Sequence, residues 1–145
     1  MRILERGWCL ILPCVAGCAS GETEDNRALI ADFARMFYTE RDVRGAFEKY
    51  VAPDYIQHNP GIADGRDAAI AALAPKFAQP GSRFEIKRII VDGDHAVIHL
   101  HGRAGGSGRG GAVADIYRIE DGRIVEHWDV LQAIPETAAN PHPMF

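Results

Sequence analysis

The hydrophobic repeat of this chain changes once, near Gly81, from about 3.6 residues to about 2, and that change sets the fold class. Before it, Leu29, Ile30, Phe33, Met36 and Phe37 recur on one helical face, with Asp25 or Asn26 placed to cap the start. A second short helix should carry Val43, Ala46, Phe47 and Tyr50 and stop before Pro53. Asp64-Gly65-Arg66-Asp67 opens a third through Ile70 and Leu73, which Pro75 should end or kink. After Gly81 the residues alternate. Phe84 to Val91, His95 to Gly102, Ala112 to Ile119 and Ile124 to Leu131 read as strands. Asp92-Gly93 and Glu120-Asp121-Gly122-Arg123 read as hairpin turns, and Gly105 to Gly111 as a flexible connection. Helices followed by long hairpin strands predict an α+β fold, with the helices packed on one face of a curved antiparallel sheet. A strongly curved sheet leaves a concavity, so a pocket is expected.

The 145 residues suffice for one domain with one sizeable core. A net charge of -4 with scattered basic residues argues against nucleic acid as a partner, because phosphate contacts need a basic face. The glycine-rich connection lacks the Gly-Lys-Ser/Thr ending of a phosphate loop and leads into a strand. All three cysteines, Cys9, Cys14 and Cys18, precede residue 19, so no disulfide can staple the body of the domain.

The first residues form a separate unit. Arg2 and Arg6, then the short apolar run from Trp8 to Ala16, then small residues, read as an export signal; the run is too short to span a bilayer. Val15-Ala16-Gly17-Cys18 resembles a bacterial lipobox, which implies lipidation of Cys18 and anchorage in the cell envelope by that lipid alone. The expected divisions are a signal over 1–18, a tether over 19–25, the domain over 26–134 and a tail over 135–145.

Candidate chemistry gathers in the last hairpin. A turn with Gly122 third fits a type I turn followed by a left-handed glycine and a bulge. In that register Ile119 faces Arg123, Asp115 faces His127 and Val113 faces Asp129, so Asp115, His127 and Asp129 share one face. A plain two-residue Asp-Gly turn would pair Asp115 with Trp128 and send His127 to the opposite face. The bulged turn is expected here because it groups three ionisable side chains. On a wet surface these would be ordinary charges; in an apolar cavity, like charge and low polarity would let one carboxylate shuttle protons near neutral pH. Trp128, on the other face, is expected to pack in a core. His99 and His101 could ligate a metal by their spacing, but no acidic residue lies between Gly102 and Gly111 to complete a set, so no metal is expected. His95 and His142 are expected in solvent.

The run Asp115-Ile116-Tyr117-Arg118-Ile119-Glu120-Asp121-Gly122-Arg123-Ile124-Val125-Glu126-His127-Trp128-Asp129-Val130 resembles the closing hairpin of SnoaL-like proteins. These are polyketide-cyclase relatives within the nuclear transport factor 2-like superfamily. Asp54-Tyr55-Ile56-Gln57-His58-Asn59-Pro60 is similar to that family's tyrosine-rich segment. The resemblance implies an α+β cone with an internal site, cofactor-free aldol-type chemistry, a homodimer, and Asp129 at the family's general acid/base position. The cyclases' partner histidine falls at Asp115 here. On this basis Asp129 would remove a proton next to a carbonyl, assisted by Asp115. His127, His58 or Tyr55 would donate to the developing enolate oxygen, with His101 and Tyr117 also contacting a small apolar substrate. A second reading stays open, in which the same pocket binds a hydrophobic ligand at the envelope without catalysis.

Overall fold

The computed structural model describes residues 17–145, with side chains from Gly21 onward. Residues 1–16 of the signal expected over 1–18, and the side chain of Cys18 expected to carry a lipid, lie outside the described residues. Helix α1 spans Gly17–Ala34 and passes into a π-helical turn, Arg35–Thr39. Helix α2 (Val43–Tyr50), strand β1 (Val51–Gln57) and helix α3 (Arg66–Phe77) follow. Strands β2 (Arg83–Asp92), β3 (His95–Arg103), β4 (Gly111–Glu120) and β5 (Arg123–Ala133) complete the fold. Among the described residues no helix is long and apolar enough to cross a membrane.

The α+β class and the order of elements match the expectation, with four local differences. Helix α1 begins before Asp25 and takes in the segment expected as a tether. Asn26 is therefore not a cap; it is buried, and its side-chain amide donates to the Gly93 carbonyl at 3.0 Å, tying the helix to the first hairpin. Helix α3 continues through Pro75 to Phe77, because a proline so near the end forfeits one backbone bond while its ring sits exposed. Strand β1 follows α2 without a break and pairs parallel with β5, giving the sheet order β1-β5-β4-β3-β2. Proline within β1 is tolerated because the strand lies at the sheet edge and its register shifts between Val51 and Ile56.

The last hairpin corrects the expected register. Glu120 pairs with Arg123 and Ile119 with Ile124, which leaves a two-residue Asp121-Gly122 turn. Both turn residues have positive φ, 49° and 70°, as a type I′ turn requires. The register then shifts, and Arg118 pairs with Glu126, so Val125 is an extra residue on β5. Asp115 consequently lies opposite Asp129, and Tyr117 opposite His127. The expected register was two residues out, an even number, so the facing of every side chain beyond the bulge is unchanged. The bulge at Val125 undoes the inversion that a plain two-residue turn would cause.

The concave face of the sheet and the helices share one aromatic core. Phe33, Phe37, Phe47, Tyr55 and Phe77 meet Ile98, Leu100, Tyr117, Ile119 and Ile124, all buried. The π turn matters here. It carries Phe37 and Tyr38, both buried, into this core.

Candidate active site

A cavity of about 180 Å³ lies between the concave sheet and the helices. Phe37, Phe47, Ile62, Leu73, Phe77, Phe84, Leu100, Val113 and Leu131 form its apolar wall. Its polar lining comes from Tyr38, Tyr55, Gln57, Asn59, Asp115, Tyr117, His127 and Asp129, with exposed Lys76 also contributing. The expected cluster of Asp115, His127 and Asp129 therefore exists and faces inward, with Asp115 and His127 buried and Asp129 half-buried.

The cluster is wired by residues from four elements. His127 Nε2 lies 3.2 Å from Asp115 Oδ1. The Tyr38 hydroxyl donates to Asp115 Oδ2 at 2.5 Å, and Tyr38 and Tyr117 hydroxyls are 2.6 Å apart. A hydroxyl has one hydrogen, and Tyr38 commits its own to Asp115, so Tyr117 is the donor between the two phenols. His127 Nδ1 lies 2.9 Å from Gln57 Oε1. The Gln57 amide nitrogen donates to Tyr55 Oη at 3.2 Å, and the Asn59 side-chain amide donates to Asp129 Oδ2.

Burial pushes the phenols of Tyr38, Tyr55 and Tyr117 above their ordinary range, and the Asp115 carboxylate pushes the same way. Each stays a neutral donor. Below pH about 10, where an unfolded tyrosine also keeps its proton, the associated stability is fully present. Above it the unfolded chain releases protons that the folded chain retains, so stability falls as pH rises. Denaturation midpoints are expected to drop above pH about 10, with tyrosinate absorbance from these three rings appearing only on unfolding. Tyrosinate from all four tyrosines in a still-folded chain would contradict this.

Three expected positions lie elsewhere. His58 is exposed on the outer face, stacked on Trp128 at 4.7 Å, with Nε2 2.8 Å from Glu126 Oε1. Alternation along the chain after Tyr55 sends Gln57 and Asn59 inward and His58 out. The His58 backbone N–H donates to the His127 carbonyl at 2.9 Å, so this residue supports the site from behind. His101 likewise points outward: its Nε2 lies 2.7 Å from the Arg109 carbonyl, and its ring stacks on Phe145 at 4.7 Å. Trp128 is half-exposed on that outer face and not part of the core. The bond from His58, then that from Arg118, holds the Glu126 carboxyl below its ordinary range.

Tyr38, Gln57, Asn59 and the exposed Lys76 are the polar lining residues that the sequence analysis did not single out. Gln57 and Asn59 had one available signal: they stand two and four positions after Tyr55 and so share its face of an extended strand. Asp115, His127 and Asp129 are also the one group among the described residues with donor atoms close enough to suggest an ion, all within 4.8 Å of one another. Both nitrogens of His127 and both oxygens of Asp115 already have partners, however, so the set is built as a hydrogen-bonded network.

Fold and site together describe an α+β cone whose internal cavity sets an Asp115–His127–Asp129 cluster among apolar walls. The chain belongs to the SnoaL-like domain family, whose profile matches residues 26–127. Its fold is that of an NTF2-like protein of unknown function from Mesorhizobium loti, with 25% identity, TM-score 0.66, and coverage of 77% of this chain and 94% of that one. A candidate ketosteroid isomerase from Kribbella flavida shares 19% identity at TM-score 0.66, over 82% of this chain and 86% of the other. A candidate polyketide cyclase from Acidithiobacillus ferrooxidans shares 22% identity at TM-score 0.60, over 74% and 87% respectively. A search of curated proteins finds no match.

Proposed function

We propose that the cavity carries out proton transfer at the carbon next to a carbonyl in a small apolar compound, with Asp129 as the base. One observation carries this reading. Among the described residues Asp129 Oδ1 has no hydrogen-bond partner, while the other carboxylate oxygens of the cluster are all committed. It is the acceptor left open to a ligand.

A matching donor is at hand. Tyr55 Oη accepts from Gln57, which leaves its own hydrogen available for a carbonyl oxygen that gains charge as the proton leaves. The volume suits a compact molecule: about 180 Å³ holds about six waters and lies below the roughly 300–1,000 Å³ of a drug-sized pocket. The names of the structural neighbours, an isomerase and a cyclase, belong to the same broad chemistry.

The test is α-deuterium incorporation into small neutral ketones, such as cyclohexanone and cyclohex-3-enone, incubated with the protein in heavy water. Incorporation above buffer with saturation in ketone is expected. Saturable binding with no incorporation would instead favour the ligand-binding reading, and absence of both would remove the pocket's role in handling carbonyl compounds.

A further inference from the structure

We infer that His127 is held as the doubly protonated imidazolium, with Asp115 accepting from one ring nitrogen and Gln57 from the other. Gln57 is then the positioning residue that sets the charge pattern of the site.

The inference follows from counting donors. The backbone N–H of Asn59 donates to Gln57 Oε1 at 2.9 Å, and the Gln57 amide nitrogen donates to Tyr55 Oη at 3.2 Å. These two bonds fix which way the amide faces. Turned over, it would set its NH2 group against the Asn59 N–H. In the fixed orientation an amide oxygen stands 2.9 Å from His127 Nδ1, and an amide oxygen only accepts. On the other side Nε2 stands 3.2 Å from Asp115 Oδ1, while the second Asp115 oxygen accepts from Tyr38. Facing an ionised Asp115, a neutral imidazole with one donor and one acceptor would press a lone pair against an oxygen at one of the two contacts, and a proton placed on Asp115 instead would sit on the intrinsically weaker base of the pair. His127 is buried, which leaves water little room to relieve that clash.

The surrounding groups agree with a cation there. Tyr38 comes from the π turn, Tyr55 and Gln57 from β1, Asp115 and Tyr117 from β4, and Asp129 from β5 itself. All are neutral or acidic. The His127 ring also packs 4.9 Å from Tyr117 and 6.4 Å from Tyr55. Among the described residues Lys76 is the one other cationic residue on the cavity wall, and it is exposed.

This arrangement divides the labour of the cluster. Asp115 is the counter-ion of His127 and takes no part in shuttling protons, so Asp129 bears the one unbalanced charge among these three. A neutral ligand fits that balance, and a carboxylate placed at Asp129 would meet like charge. The ligand consequence rests on the pocket reading proposed above; the charge state of His127 does not.

Proton–nitrogen correlation spectra of the isotope-labelled protein at neutral pH test it, with His127→Gln used to assign the signal. Both ring nitrogens of His127 should resonate as protonated. In Gln57→Leu one of them should move to the bare-nitrogen range, and Gln57→Glu, which keeps an acceptor, should restore the wild-type pattern. A wild-type His127 with one bare nitrogen would overturn the inference, as would a folded Gln57→Leu with both still protonated. The wild-type spectrum alone decides if the variants do not fold. Because it reads no activity, a failure of the ketone assay leaves this result standing, and the converse also holds.

Discussion

Asp129→Asn is expected to slow α-proton exchange by about 10²–10⁴-fold, the usual contribution of a positioned general base. Size and shape are kept, and the asparagine oxygen can still accept from the Asn59 side-chain amide, so the site should hold its geometry. What is lost is the ability to take a proton. Ketone affinity and melting temperature should therefore change little while the exchange rate collapses. A variant that exchanges as fast as the wild type would remove Asp129 from the chemistry. Asp115→Asn is a useful contrast, because it removes the counter-ion of a buried ring and should cost stability as well as rate.

The largest stability effect is expected from Phe33→Ala. Phe33 is fully buried, and its ring lies 5.4 Å from Phe37, 5.8 Å from Phe47, 6.4 Å from Tyr50 and 5.4 Å from Tyr117. Truncating such a ring costs about 3–5 kcal/mol, against a total stability of roughly 5–15 kcal/mol for a domain. The melting temperature should fall by about 10–20 °C. Tyr117 stands edge-on to Phe33 at 73° and is one end of the phenol chain to Asp115, so a surviving variant should also lose exchange activity. A fall of under about 1 kcal/mol by chemical denaturation would mean that the helices and sheet do not share one core.

Local pattern made the architecture legible, and long-range geometry hid much of the site. The change of period near Gly81 separates α1 to α3 from β2 to β5 without reference to contacts. Strand β1 escaped because it continues from α2 with no turn residue between Tyr50 and Val51, and because Pro53 argues against a strand. Asp115, His127 and Asp129 could be grouped because one hairpin connects them. The observed register differs from the expected one by two residues, yet two shifts of one residue each, the tight turn and the Val125 bulge, cancel in their effect on facing. Tyr38 reaches Asp115 across 77 positions, and Gln57 reaches His127 across 70, separations that no local repeat encodes. His58 shows the opposite failure. Its chemistry suited a ligand contact, but the alternation of β1 places it with Glu126 and Trp128 on the outer face.

The most direct measurement is a crystal structure of the protein with a small phenol, a stable mimic of an enol, bound from solution. The phenol ring should lie among Phe77, Phe84 and Leu100, with its oxygen within hydrogen-bond reach of Asp129 Oδ1 or Tyr55 Oη. Density for the phenol only on the outer sheet face, or an Asp129 carboxylate turned away from the ring, would contradict the placement of chemistry in this cavity.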